Sequence, residues 1–305
     1  MSRKNNKLII ILGPTASGKT NLAIKLARQY KGEIISADSR QIYQEMAIGT
    51  AQPNKIELAA VPHHLIASYL PNHEFSLAKF IIVANQLIKK IQQANKLPFL
   101  VGGTGLYISA IVNNYKLPTG RHDKILQNRL GRQSADNLYR QLRQLDPDTA
   151  ATIDKNNIRR LSRALAYVLA NQKSWTKQQQ HRPSPYDILQ IGLRLDLPTL
   201  EKNIAQRTKA MLTQGLVQET RTLLKKYSPD LPALQTIGYQ EIISYLKGNI
   251  DKKTAEKNIN LHTRQYAKRQ ITWFKRDPRI QWVYNSNEAN KIVAKWLQNK
   301  PDTKL

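Results

Sequence analysis

Two apolar rhythms alternate along the first third of the chain. Short unbroken runs, LIIIL at 8–12, EIISA at 33–37 and PFLVGG at 98–103, have the length and apolar continuity of strands buried on both faces. Each is followed by a longer stretch with helical spacing. In SLAKFIIVANQLIKKIQQANK, for instance, Leu77, Phe80, Ile81, Val83, Ala84, Leu87, Ile88 and Ile91 form a stripe that can lie on a sheet. This alternation predicts an α/β protein, a parallel sheet flanked by helices, and the G-x4-G-K-T run at 13–20 after the first strand makes it a sheet of the P-loop NTPase-like kind. From about Thr119 the texture becomes helical in period and polar, without strand-like runs, until Pro183-Ser184-Pro185. Gly120 and the Pro-Ser-Pro run are turn signals that bound an inserted all-helical subdomain at 119–185, leaving 1–118 and 186–305 as the catalytic core. DILQIGLRLDL at 187–197 resumes a strand pattern, so the chain returns to the same sheet. The remainder reads as mostly helical, with a long stretch from about Asp251 to Arg276. No fixed-period repeat is visible, and the only low-complexity run is Gln178-Gln179-Gln180.

The junction after the first apolar run carries chemistry. Gly13, Pro14, Thr15, Ala16, Ser17, Gly18, Lys19 and Thr20 satisfy the complete G-x4-G-K-T pattern, in the strand-then-helix context the pattern requires. Backbone N–H groups of such a loop converge on phosphate oxygens at a helix N-terminus, Lys19 adds a mobile cation, and Thr20 offers a hydroxyl to Mg2+. The loop predicts a pyrophosphate or triphosphate ligand without saying which one. Directly after the second strand, Asp38 would lie near the phosphates, because neighbouring strand ends of a parallel sheet open toward one crevice. Its carboxylate can hold Mg2+ through water, accept a proton from a nucleophile, or N-cap a helix beginning near Ser39. Gly102-Gly103-Thr104-Gly105 follows the third strand, where glycines let a ligand approach the backbone.

Composition then widens the picture. The 305 residues hold 48 Lys+Arg against 21 Asp+Glu, a formal charge of +27, and no cysteine. Disulfides and thiolate metal sites are excluded, and a cytosolic setting fits. So large a positive charge points to a phosphate polymer such as a nucleic acid. No apolar run approaches the ~18 residues of a membrane span, and MSRKNNKLIIIL runs straight into the loop, so it reads as a first strand and no signal peptide. His63, His64 and His73 are assigned no metal.

In order along the chain stand GPTASGKT (13–20), ISADSRQIY (35–43), IGTAQP (48–53), PHHLI (62–66), VGGTGLY (101–107), LDP (145–147), NIRRLSRAL (157–165), MLTQGLVQE (211–219), TIGYQE (236–241) and TRQYAKRQITWF (263–274). This series, covering nearly the whole chain, resembles bacterial tRNA dimethylallyltransferase, the isopentenyl-tRNA transferase family. The resemblance implies transfer of a dimethylallyl group from dimethylallyl diphosphate to N6 of adenosine 37 in tRNAs reading codons that start with U, with Mg2+ as cofactor and diphosphate as second product. The loop belongs to the ATP-binding class of motif, yet no nucleoside triphosphate is needed. Asp38 matches the family's base for the amino group, Arg207 an arginine at the diphosphate, and Thr15 is placed to orient the diphosphate or its bridging oxygen.

A stacked adenine must leave its anticodon loop to react, so groups that hold an extruded base are expected at the rim. Asp38, Ser39, Arg40, Gln41 and Thr104 are read in that place, and the run Arg159, Arg160, Leu161, Ser162 and Arg163 is read as gripping the tRNA anticodon stem-loop. In the basic stretch of Arg264, Lys268, Arg269, Lys275 and Arg276, the cations are read as phosphate contacts, and Trp273 and Phe274 as packing. Against the family pattern, Ala47 stands where an Asp is usual, Gln52 where a Lys is, and Ala166 where a Glu is, which leaves local salt bridges or RNA contacts there open. A monomer is the default. A small-molecule or nucleotide kinase on the same sheet is the competing reading; it shares the loop and the acidic residue but accounts for neither the charge nor the arginine-rich insertion.

Overall fold

The computed structural model describes residues 6–118, 120–178 and 183–298. Thr119, at the head of the predicted insertion, and Gln179 and Gln180 of the glutamine run lie outside the described residues, as do 1–5, 181–182 and 299–305. Contacts divide the chain into two compact units, one of 1–112 with 185–305 and one of 113–184.

The first unit holds β1 (Lys7–Leu12), α1 (Lys19–Gln29), β2 (Gly32–Ser36), α2 (Lys55–Ala60), β3 (His63–His64), α3 (Leu77–Gln93), β4 (Leu97–Gly102) and α4 (Gly105–Val112). The second contains α5 (Lys124–Leu130), α6 (Ala135–Leu145), α7 (Pro147–Thr152), α8 (Ile158–Asn171) and α9 (Trp175–Gln178). The chain then completes the first unit with β5 (Asp187–Leu193), α10 (Leu197–Thr213), α11 (Leu216–Lys226), α12 (Tyr239–Leu246), α13 (Lys252–Phe274), β6 (Ile280–Val283) and α14 (Ser286–Gln298).

All described strand pairs are parallel, in the order β3-β2-β4-β1-β5-β6. This is the α/β sheet that the apolar runs predict. The unbroken run of β1 is buried throughout because its alternate residues serve opposite layers: Leu8, Ile10 and Leu12 join one core, Ile9 and Ile11 the other. Phe80, Ala84, Ile88 and Ile91 of α3 cover the first face; Leu22, Ala23 and Leu26 of α1, with Ala289 and Val293 of α14, cover the second. Parallel pairing brings the C-terminal ends of β1, β2, β4 and β5 to one edge, where the sheet's loops gather.

The second unit has its own core, built from Leu130, Leu138, Leu142, Leu161, Leu165 and Val168. Its connection is fixed by the LDP motif. Asp146 is 3% exposed and accepts hydrogen bonds from the Thr149 N–H, the Ser174 hydroxyl (2.9 Å) and the Trp175 N–H (2.8 Å), tying the start of α7 to the start of α9. Other motifs are scaffold as well. Glu219 accepts the N–H groups of Ile48 (2.8 Å) and Gly49 (2.9 Å) and the buried Tyr239 hydroxyl (2.7 Å), so IGT, LVQE and GYQE meet on one carboxylate.

In the fold, the structure differs from the sequence reading at the turn after β2 and at the two sheet edges. No helix begins at Ser39; turns follow β2 instead. The short strands β3 and β6 extend the sheet at its two edges. Trp273 and Phe274 pack as expected: the Trp273 indole lies on Gly105 and donates its N–H to the Ser109 hydroxyl at 3.2 Å, and Phe274 is buried.

A candidate phosphate and acceptor site at the sheet edge

The loop 13–20 joins β1 to α1 and is held from outside by two C-terminal helices. Gly18 takes the N-cap position of α1 at φ 88°, a left-handed conformation that suits glycine, and brings no side chain to cap the helix. The first-turn N–H groups are thereby left for an anion. On α10, Asn203 donates to the Ala16 carbonyl (3.1 Å) and, one turn on, the Arg207 guanidinium donates to Thr15 Oγ1 (3.2 Å). Lys19 folds back onto the Pro14 carbonyl at 2.7 Å. Ser17 is 4% exposed and its hydroxyl has no partner among the described residues. Thr20 sits in the first turn of α1, half-buried.

Electrostatics join the loop to the second strand. Burial pushes the Lys19 amine down to about 8, the nearby Arg207 cation pushes the same way, and the Asp38 carboxylate opposes both. Burial lowers Arg207 as well, again opposed by Asp38. Burial raises Tyr107 and Tyr266 to about 12, and both feel the Asp38 charge. Lys19, Arg207 and the two phenols are thus all within reach of the Asp38 charge.

The turn carrying Asp38 is tightly made. Its Oδ1 accepts the N–H groups of Arg40 (2.8 Å) and Gln41 (3.3 Å), an Asx-type turn in place of a helix cap. The Ser39 N–H donates to Thr104 Oγ1 at 3.1 Å, which couples this turn to the one after β4. Arg40 donates to the Pro232 carbonyl at 3.0 Å. The Gln41 amide is engaged inside its own loop, donating to the Ala51 carbonyl (2.8 Å) and accepting the Ser36 hydroxyl (3.3 Å), so it is a scaffold group and no free rim amide. Gln52 lies beneath, donating to the carbonyls of Gln41 (3.0 Å) and Tyr43 (2.7 Å), so this departure from the family pattern is absorbed by the loop.

In the helical unit, Arg159, Arg160 and Arg163 lie exposed on α8, and Arg163 sits over the Trp175 ring at 5.6 Å. Leu161 and Ser162 of the same run are a correction: both are buried, with Leu161 at 0% exposure, so their side chains pack the unit and offer nothing to a polyanion. A helix with apolar residues interleaved must turn part of any five-residue run inward. Of the α13 cations, Arg264 pairs with Glu201 at 3.2 Å and Arg269 lies over the Tyr266 ring. His64 pairs with Glu33 at 2.7 Å, and among the described residues no group of three or more His, Cys, Asp or Glu is placed to hold a metal.

Sequence reasoning missed Asn203 and Gln270. Gln270 Oε1 accepts the Thr15 N–H at 2.8 Å and its Nε2 donates to the Gly103 carbonyl at 2.8 Å. A signal was present: with Ala255, Ile259, Ala267 and Phe274, Gln270 occupies the buried stripe of α13, where an unpaired amide would be costly.

Fold and site together define an α/β protein of the P-loop class in which Lys19 of the loop and Arg207 of α10 lie within electrostatic reach of Asp38, in the turn after β2. The family model described as IPP transferase matches residues 41–277. A tRNA dimethylallyltransferase of Anoxybacillus flavithermus is 40% identical over 90% of this chain and 89% of its own length, and one from Synechocystis sp. is 42% identical over 95% of each. The crystal structure of the full-length tRNA isopentenylpyrophosphate transferase from Bacillus halodurans superposes with a TM-score of 0.74 at 36% identity, covering 96% of this chain and 97% of that one. A eukaryotic dimethylallyltransferase acting on tRNA superposes at 0.85 with 26% identity, over 98% of this chain and 81% of that one. The chain belongs to the IPP transferase family, and its enzymology is prenyl transfer; the kinase reading is not favoured. No described helix is long and apolar enough to cross a membrane.

Proposed function

We propose that this chain transfers a dimethylallyl group from dimethylallyl diphosphate to N6 of adenosine 37 in the anticodon loop of tRNAs that read codons beginning with U, releasing diphosphate. The observation that carries the reading is the bonded path that links Thr15, the partner of Arg207, through Gln270 and Gly103-Thr104 to the Asp38 turn, with Asp38 in electrostatic reach of Lys19 and Arg207, two cations suited to a leaving diphosphate. The relatives are named for acting on tRNA, and the charge of +27 suits a tRNA partner.

In this mechanism the uncapped start of α1, Lys19 and Arg207 bind the diphosphate and stabilise the charge that grows on it as the allyl carbon–oxygen bond breaks. Arg207 also holds the Thr15 hydroxyl toward the same group. The N6 amine is a poor nucleophile, because its lone pair is shared with the purine ring. As its nitrogen bonds to the allyl carbon, Asp38 takes the proton that leaves N6. The two backbone N–H groups already on Oδ1 orient the carboxylate and leave Oδ2 for that bond.

The Thr20 hydroxyl, in the first turn of α1, would hold Mg2+ beside the diphosphate. Bound there, Mg2+ supplies charge neutralisation on the leaving group. The exposed Arg159, Arg160 and Arg163 contact stem-loop phosphates. The reading is of a monomer in the cytoplasm.

Incubation with labelled dimethylallyl diphosphate, Mg2+ and unmodified tRNA, followed by nucleoside analysis, tests it. Labelled N6-isopentenyladenosine at position 37 is expected. Unlabelled tRNA, or label taken up equally by free adenosine, overturns the proposal.

A further inference from the structure

We infer that Gln270 is a positioning residue that fixes the spacing between the diphosphate cradle and the acceptor side of the site, an inference that rests on the transfer reaction proposed above. Gln270 lies on α13, far in sequence from both groups it joins. Its amide is buried, and both of its ends are used: Oε1 takes the Thr15 N–H of the phosphate loop, and Nε2 gives to the Gly103 carbonyl after β4, each at 2.8 Å.

What lies beyond each end gives the bridge its meaning. On one side, Thr15 is also held by Arg207 through its hydroxyl. On the other, the residue after Gly103 is Thr104, whose Oγ1 receives the Ser39 N–H and whose own N–H reaches the Ala37 carbonyl at 3.3 Å. Asp38 stands between Ala37 and Ser39. A continuous path thus runs from the loop that binds the leaving group, through one amide, to the turn that carries the proton acceptor.

Only an amide suits this position. The Thr15 N–H needs an acceptor and the Gly103 carbonyl a donor, so a carboxylate, an ammonium or an apolar side chain each leaves a buried backbone group unpaired. Gly103 is matched to it: a Cβ there would fall 2.3 Å from Gln270 Nε2, so any side chain pushes the amide out of the gap. The bridge also engages the Thr15 N–H, which fixes the loop's shape before ligand arrives and adds to the preorganisation of the cradle. Reaction needs the allyl carbon and N6 in near-attack contact, and a misplacement of about 1 Å costs roughly 10^2-fold in rate.

The test uses Gln270→Met, close to glutamine in size, and Gly103→Ala, which displaces the amide without altering it. Steady-state kinetics on tRNA and dimethylallyl diphosphate are run well below the thermal midpoint of each variant. Each single variant is expected to lower kcat by about 10- to 100-fold while both KM values stay within about threefold, and the double variant is expected to be no slower than the slower single, because both remove one bridge. Should Gln270→Met not fold, the Gly103→Ala split between kcat and KM decides alone. The inference is overturned if kcat stays within about twofold of wild type, if the losses appear only in KM, or if the two losses multiply. A wild-type protein that makes no N6-isopentenyladenosine overturns the underlying reading as well, and that outcome is distinct from an active wild type with an equally active Gln270→Met.

Discussion

Replacing Lys19 with methionine should make the unliganded protein more stable at neutral pH while abolishing diphosphate binding. The Lys19 amine is held at about 8 against an ordinary 10.5, mainly by burial and then by the Arg207 cation. That gap of roughly 2.5 pH units corresponds to about 3 kcal/mol that the charged amine costs the folded state. Methionine keeps the volume and removes the charge, but leaves the Pro14 carbonyl without its 2.7 Å bond, a loss of about 1 kcal/mol. The net gain of about 2 kcal/mol corresponds to roughly 4 °C in thermal midpoint for a chain of this size. The pH dependence gives the sharper test. The folded-state value lies below the unfolded one, so between about 8 and 10.5 the unfolded chain binds more protons, and wild-type stability rises with pH across that window. Below about 8 the amine is protonated in both states and the full penalty applies. The advantage of Lys19→Met should therefore be constant from about pH 6 to 7.5 and vanish by about pH 10. Differential scanning calorimetry without ligand measures it, and titration calorimetry with diphosphate checks the lost binding. A variant less stable than wild type at pH 7, or an advantage that does not change with pH, refutes the argument that this amine is held against its own desolvation for the sake of an anion.

Three further outcomes follow from particular bonds. Asp38→Asn keeps an acceptor for the N–H groups of Arg40 and Gln41 but loses basicity, so kcat should fall by about 10^2-fold or more with tRNA affinity kept, as single-turnover and filter-binding assays will show. Arg159→Ala should weaken tRNA binding across sequences and reduce the salt slope by about 1, with kcat at saturating tRNA unchanged; Arg159 is a cleaner probe than Arg163, which also lies over Trp175. Asp146→Ala leaves the N–H groups of Thr149 and Trp175 without their acceptor, and should destabilise the helical unit by about 3 kcal/mol, read as faster proteolysis within 120–178.

Legibility from sequence followed physical lines. Strands β1, β2, β4 and β5 were readable because a strand buried on both faces must be apolar at consecutive positions, and no surface element imitates that pattern. The edge strands were not. His63–His64 is two residues long, and Ile280–Val283 has only its ends buried, so neither sustains a rhythm. The phosphate loop was legible because its chemistry is local, carried by eight consecutive residues. Asp38 was legible as a position but not as a conformation, since an aspartate that caps a helix and one that closes an Asx turn make the same bonds to N–H groups two or three residues on. Arg207 came only through resemblance, because a lone arginine in a helix looks like any solvated cation.

Gln270 shows why the remainder stays hidden. A glutamine in a polar 23-residue helix carries no mark of its partners, both more than 160 residues away in sequence, and its meaning appears only when the helix's sparse buried stripe is traced and found to include it. The same holds for Asn203 and Glu219: each satisfies backbone groups in loops that the chain made long before. Because parallel strands place their loops at one edge, the later helices α10, α11 and α13 are what lock those loops, and the cost of an unpaired buried N–H or carbonyl is what makes the locking specific. The local motif thus determines which ligand chemistry is present, while distant amides and carboxylates set where that chemistry stands relative to its acceptor. Substitutions at the locking residues should consequently alter rate before they alter ligand preference, whereas substitutions inside the loop should do the reverse.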